Sequence, residues 1–84
     1  MSEHTLQSVK DALTAIVAKT IGKSPADISL SVALDDQGVD SLAFAEMMFD
    51  VEDAFGAVVS DSAELAKLRT IDQLAARILE KLEA

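Results

Sequence analysis

Apolar residues recur at spacings of three and four in three separate stretches of this 84-residue chain, which confines it to a helical fold. In the first stretch they are Leu6, Val9, Leu13, Ile16 and Val17, with Ala12 between, predicting a helix from Glu3 to about Ile21. Lys19 and Lys23 lie near its end and Gly22 follows, as a helix C-terminus favours. The last stretch carries Ile71, Leu74, Ala75, Ile78, Leu79 and Leu82. It opens on Thr70-Ile71-Asp72-Gln73, where Thr70 and Gln73 fit a capping box. The middle stretch runs from Leu42 to Phe55 and ends at Gly56.

The connections differ in character. Ser24-Pro25, with Asp27 after it, predicts one short capped turn. Ile28, Leu30, Val32 and Leu34 then alternate with small residues, a strand-like pattern. No second strand of matching length exists to pair with it, so it reads as a long extended loop pinning apolar side chains across a helical core. Long structured loops in small domains are often functional. After the second helix, Ala57-Val58-Val59 leads to several possible caps in Ser60-Asp61-Ser62, with a brief helix expected from Ala63 to about Leu68. The expected fold is all-α. It is a small bundle of three main helices plus a short third helix, with a long loop between helices 1 and 2, and residues 1–84 form a single domain.

Half the residues are apolar and only 4% aromatic, so Leu, Ile, Val, Ala and Met must build the core. With no cysteine, disulfides and thiolate chemistry are excluded, and any thiol would have to come from an attached group. No apolar run approaches the ~20 residues that span a bilayer. The start, Met1-Ser2-Glu3-His4-Thr5, lacks the features of a signal peptide. These features read as a cytoplasmic protein without membrane insertion. A net charge of −8 repels nucleic acid and anionic membrane surfaces and favours partners with basic patches.

That charge is unevenly placed. From Ser24 to Ala66 there are 10 acids and no lysine or arginine, while the flanks hold the other 5 acids and all 7 bases. Inside the acidic segment lies Gly38-Val39-Asp40-Ser41-Leu42. Asp40 is placed to cap the second helix, which leaves Ser41 in its first turn. At about 100° per residue, Phe44, Met47, Met48, Val51 and Phe55 share the side expected to meet the core. Leu42, Ala45 and Phe49 lie roughly opposite, bordered by Glu46, Glu52 and Asp53. A monomeric bundle needs no second apolar stripe with an acidic border, and this one suits a docking surface.

Ser41 has three possible chemistries. As a nucleophile it would need a base, and the only histidine is His4, in a terminus expected to fray; no Gly-x-Ser-x-Gly turn exists. The acids around it could instead form a calcium loop counted from Asp35, but Val39 and Asp40 stand at the fifth and sixth positions, where an oxygen ligand and glycine belong. As an attachment point it needs no base of its own, because another enzyme modifies it. A phosphodiester at a helix start meets free amides and partial positive charge. Physics permits this third role without singling it out.

Gly38-Val39-Asp40-Ser41-Leu42, with Phe55-Gly56 closing the helix, resembles the acyl carrier proteins. The resemblance spans nearly the whole chain in length, helix order and charge. It implies a carrier without catalytic activity, whose Ser41 receives 4′-phosphopantetheine from coenzyme A through a phosphopantetheinyl transferase. The arm's thiol then carries acyl groups as thioesters, supplying the thiol that the chain lacks. By the same resemblance, Asp40 supports Mg²⁺ and the transferase, and Leu42, Glu46, Phe49, Glu52 and Asp53 are read by partner enzymes that transfer or modify acyl groups.

The chain shows three departures from the fatty-acid carriers of that family. Ala43 stands where aspartate is frequent, Ala57-Val58-Val59-Ser60 lacks a common proline, and Phe44 and Met47-Met48 differ in bulk from the usual residues. Phe44, Met48 and Val51 are either core or the lining of an acyl pocket. The expected function is a free-standing, monomeric acyl carrier for fatty acid or related acyl-chain biosynthesis. The alternatives are a peptidyl, aryl or polyketide carrier, or an unmodified acidic adaptor binding basic partners.

Overall fold

In a computed structural model, the described residues are 4–56, 65 and 67–83. They form three α-helices: α1 (Leu6–Ile21), α2 (Ser41–Phe55) and α3 (Ile71–Glu83). Single 3-10 turns stand at Pro25–Asp27 and Asp35–Gln37, and the described residues contain no strand. The possible caps at 60–62 and half of the brief helix expected over 63–68 lie outside the described residues; of the described positions there, Leu65 is helical and Lys67 lies in a turn.

Local chemistry sets the helix ends. The start of α1 is three residues later than the periodicity predicts, because Thr5 caps it. The Ser8 amide donates to Thr5 Oγ1 at 3.0 Å, and the Thr5 amide donates to Ser8 Oγ at 2.8 Å. A polar pair that satisfies two otherwise unpaired amides outweighs helical continuation toward Glu3. At the other end Gly22 adopts φ 72°, left-handed backbone that glycine enters without a Cβ penalty, and its amide returns to the Ala18 carbonyl. For α3 the expected box forms: the Gln73 amide donates to Thr70 Oγ1, and Gln73 Oε1 accepts from Thr70 and also from Arg69.

All three helices contribute to one core, with α1 packed against both others. It joins Val9, Leu13 and Val17 of α1, Met47, Met48 and Val51 of α2, and Ile71, Leu74, Ala75 and Ile78 of α3. Leu34 and Val39 of the long loop, together with Leu65, complete it. Phe44 and Phe55, expected among the core residues, are only partly buried and pack against its edge. Across the α1–α3 contact, Lys10 Nζ lies 3.1 Å from Asp72 Oδ1.

The 28–34 stretch forms no strand, as the sequence leads one to expect, but it bends over Leu30, Ser31 and Val32 instead of running extended. Ile28 and Leu30 pack on the core and Leu34 is buried, but Val32 faces out. Gln37 accounts for the loop's course. Its Oε1 accepts from the Ser29 amide, and its Nε2 donates to the carbonyls of Ser29 and Val32, all at 2.8–2.9 Å. One side chain thereby does for this loop what a neighbouring strand would otherwise do. Gln37→Ala leaves those backbone groups without their partner, and a loss of about 1–3 kcal/mol in urea unfolding is expected. A change below a few tenths would mean that water replaces the amide without cost.

His4 departs from expectation. It does not trail from a frayed terminus: its ring sits edge-on to Phe55, with centroids 5.3 Å apart. The aromatic contact fastens His4 to the end of α2.

Candidate functional site

The region around Ser41 is built by a tight turn and a helix cap. Asp35–Gln37 makes one 3-10 turn, closed at Gly38 with φ 103°. That left-handed conformation reverses the chain so that Val39 enters the core and Asp40 faces out. Asp40 Oδ1 accepts from the Ala43 amide at 2.8 Å, which is the N-cap the sequence leads one to expect. Ser41 is therefore the first residue of α2, and it is exposed.

Beside it opens a cleft of about 480 Å³ between the loop, the start of α2 and the segment before α3. Leu34, Val39, Phe44 and Leu68 give it apolar walls, while Asp35, Asp40, Ser41 and Arg69 supply polar groups. Two backbone bonds hold the far wall in place: the Leu34 amide donates to the Arg69 carbonyl at 2.7 Å, and the Asp72 amide to the Leu30 carbonyl at 3.1 Å. Of the three candidate pocket residues, Phe44 lines this cleft, whereas Met48 and Val51 are buried in the core.

Along α2, Leu42 and Phe49 are each 70% exposed, far more than apolar residues of their size need be. Glu46 and Asp53 are exposed and Glu52 is half-buried, so these five candidate residues border one another on the outer side. The helix contains no basic residue. Lys19 of α1 approaches Asp50 to 3.9 Å, a long contact between a largely solvated ammonium and a half-buried carboxylate. Glu52 and Asp53 also sit in the last turn, facing the negative end of the helix dipole. Their placement works against helix stability. Asp53→Asn should raise stability by about 0.3–1 kcal/mol, read as a higher urea midpoint at unchanged slope; a fall would show that Asp53 has a stabilising role instead.

Sequence reasoning did not reveal Arg69 or Asp35 as neighbours of Ser41. No periodic or capping signal links Arg69 to a serine so far back in the chain, because the adjacency arises from packing alone.

A family model for the phosphopantetheine attachment site matches residues 11–78, most of the chain, and spans the whole Asp40-Ser41 turn, the cleft and α2. The chain belongs to the acyl carrier family. Curated relatives agree. One is an acyl carrier protein of an Exiguobacterium species, 36% identical over 81 residues, covering 95% of this chain and 96% of the relative. Another is the acyl carrier protein of Thermotoga maritima, 29% identical over 77 residues, covering 90% and 94%. No solved structure matches this chain. The carrier family holds its 4′-phosphopantetheine covalently, and the carrier here has a surface hydroxyl at a helix start with an amphipathic cleft beside it. An exposed serine hydroxyl, beside a cleft with apolar walls and a guanidinium among two carboxylates, would accommodate a group with an anionic root and a mostly uncharged arm. Among the described residues, no helix is long and apolar enough to cross a membrane.

Proposed function

We propose that Ser41 carries the 4′-phosphopantetheine arm and that residues 1–84 act as a monomeric carrier domain in the cytoplasm. The observation that supports it most is the position of Ser41, exposed at the start of α2 and on the rim of the cleft. The first-turn amides and dipole of α2 favour an anion there. Asp40 keeps the helix start formed by capping Ala43, so the hydroxyl is presented on rigid backbone. When attached, the group supplies a thiol that forms thioesters with acyl chains. The chain contributes the tether point and the surface, while catalysis belongs to the enzymes it visits. Tethering raises the effective concentration of the acyl group at each partner site.

Those partners are a phosphopantetheinyl transferase and enzymes that transfer or modify acyl groups, with basic patches facing α2. Leu42 and Phe49 supply the apolar centre of the contact, and Glu46, Glu52 and Asp53 its charged rim, which governs association rate and salt dependence. Fatty acid or related acyl-chain synthesis is the setting proposed. The test is incubation with coenzyme A and a broad-specificity transferase, followed by intact mass. A gain of one phosphopantetheine, absent in Ser41→Ala, supports the carrier. No gain in the unaltered protein would point to an acidic adaptor instead.

A further inference from the structure

Among the described residues, Arg69 is the only basic one lining the cleft beside Ser41. Its backbone is held at both ends, with the amide donating to Gln73 Oε1 at 2.7 Å and the carbonyl accepting from Leu34 at 2.7 Å. Its side chain, by contrast, is 69% exposed, and its guanidinium meets Asp35, whose side chain is 59% exposed, at a single 3.6 Å contact. Such a pair is worth little in water and exchanges partners readily. The result is a fixed root with a loosely held fork, on the wall of the cleft that Ser41 borders.

A phosphodiester on Ser41 would place a permanent negative charge at that rim, beside the carboxylates of Asp35 and Asp40. A guanidinium binds phosphate oxygens through two parallel hydrogen bonds, a geometry that one distant carboxylate contact does not provide. We propose that Asp35 and Arg69 form an electrostatic latch. Arg69 leaves Asp35 for the phosphodiester on Ser41 and holds the root of the arm against the cleft, while Asp35 competes for the same guanidinium. Arg69 is thus a positioning residue for the tethered group, and the proposal rests on the reading that Ser41 bears the arm.

The experiment uses the full chain loaded from coenzyme A, with loading checked by intact mass. Phosphorus NMR then compares wild type, Arg69→Met, Arg69→Lys and Asp35→Asn at low and high salt. In wild type the resonance should move with salt. Arg69→Met should shift and narrow it and remove most of that dependence, and Arg69→Lys should restore the dependence in part. Asp35→Asn, which removes the competitor, should shift it in the opposite direction to Arg69→Met. Hydrolysis of an octanoyl thioester should become about two- to fivefold faster in Arg69→Met, the scale of one exposed charge contact. Identical resonances and hydrolysis rates in fully loaded wild type, Arg69→Met and Asp35→Asn would overturn the latch and leave the carrier reading intact. Failure of the wild type to load would overturn the carrier reading and the latch with it. If Arg69→Met were misfolded by circular dichroism, Asp35→Asn decides: an unmoved resonance overturns the latch.

Discussion

Ser41→Ala is expected to abolish loading with phosphopantetheine completely while leaving the fold intact. The separation follows from who does what at the start of α2. The cap bond belongs to Asp40, whose carboxylate accepts from Ala43, and Ser41 occupies an exposed first helical position. Alanine is the better helix former there, so the change in stability should stay within about 0.5 kcal/mol. Asp40→Ala makes the complementary case. It deletes the cap and should cost about 1 kcal/mol, while the hydroxyl remains in place. Intact mass after transferase treatment reads the first effect and urea unfolding the second. A Ser41→Ala protein that still gained the full mass would place the attachment on another residue.

The second large effect is expected in the core. Leu13 is fully buried at the centre of α1, the helix that packs against both others. Leu13→Ala removes apolar volume where three helices converge, and the rigid backbone on every side limits collapse into the void. The expected cost is about 2–5 kcal/mol. A domain of this size has only about 4–13 kcal/mol in total by the usual scale per residue. The variant should therefore be partly unfolded at ordinary temperature or lose a large part of its urea midpoint at unchanged slope. A loss below about 1 kcal/mol would mean that the helices close around the gap, and that the core is more plastic than its burial implies. The effect on loading is indirect, since Leu34 and Val39 anchor the site's loop in the same core.

These two residues also show how differently parts of the molecule can be read. Leu13 is legible because its burial follows from a 3.6-residue period that any local window reveals. Asp40 and the Thr70–Gln73 pair are legible because a cap acts over three residues. Phe44 was less so: its helical angle places it near Met47 and Met48, yet it stops at the core's edge, where the cleft begins. Val32 continues an alternating pattern, but without a partner strand nothing requires every second residue of a loop to face inward. Gln37 and His4 were not legible at all. Their contacts, with Ser29 and Val32 and with Phe55, depend on chain reversals that place them beside residues outside their own helical turn.

By itself, then, the sequence determined three helices, the N-caps of α2 and α3, most of the buried stripe of each helix, and a serine at the mouth of an acidic helix. All of these are short-range consequences of hydrogen-bonding and apolar spacing. The cleft beside Ser41 was decided by tertiary structure alone. It exists because the Leu34–Arg69 and Leu30–Asp72 backbone bonds draw the segment before α3 against the long loop. That contact brings the guanidinium of Arg69 to a rim whose own stretch of chain carries no positive charge. Local spacing cannot encode such an adjacency, because it follows from how separate helices pack rather than from the order of residues within any one of them.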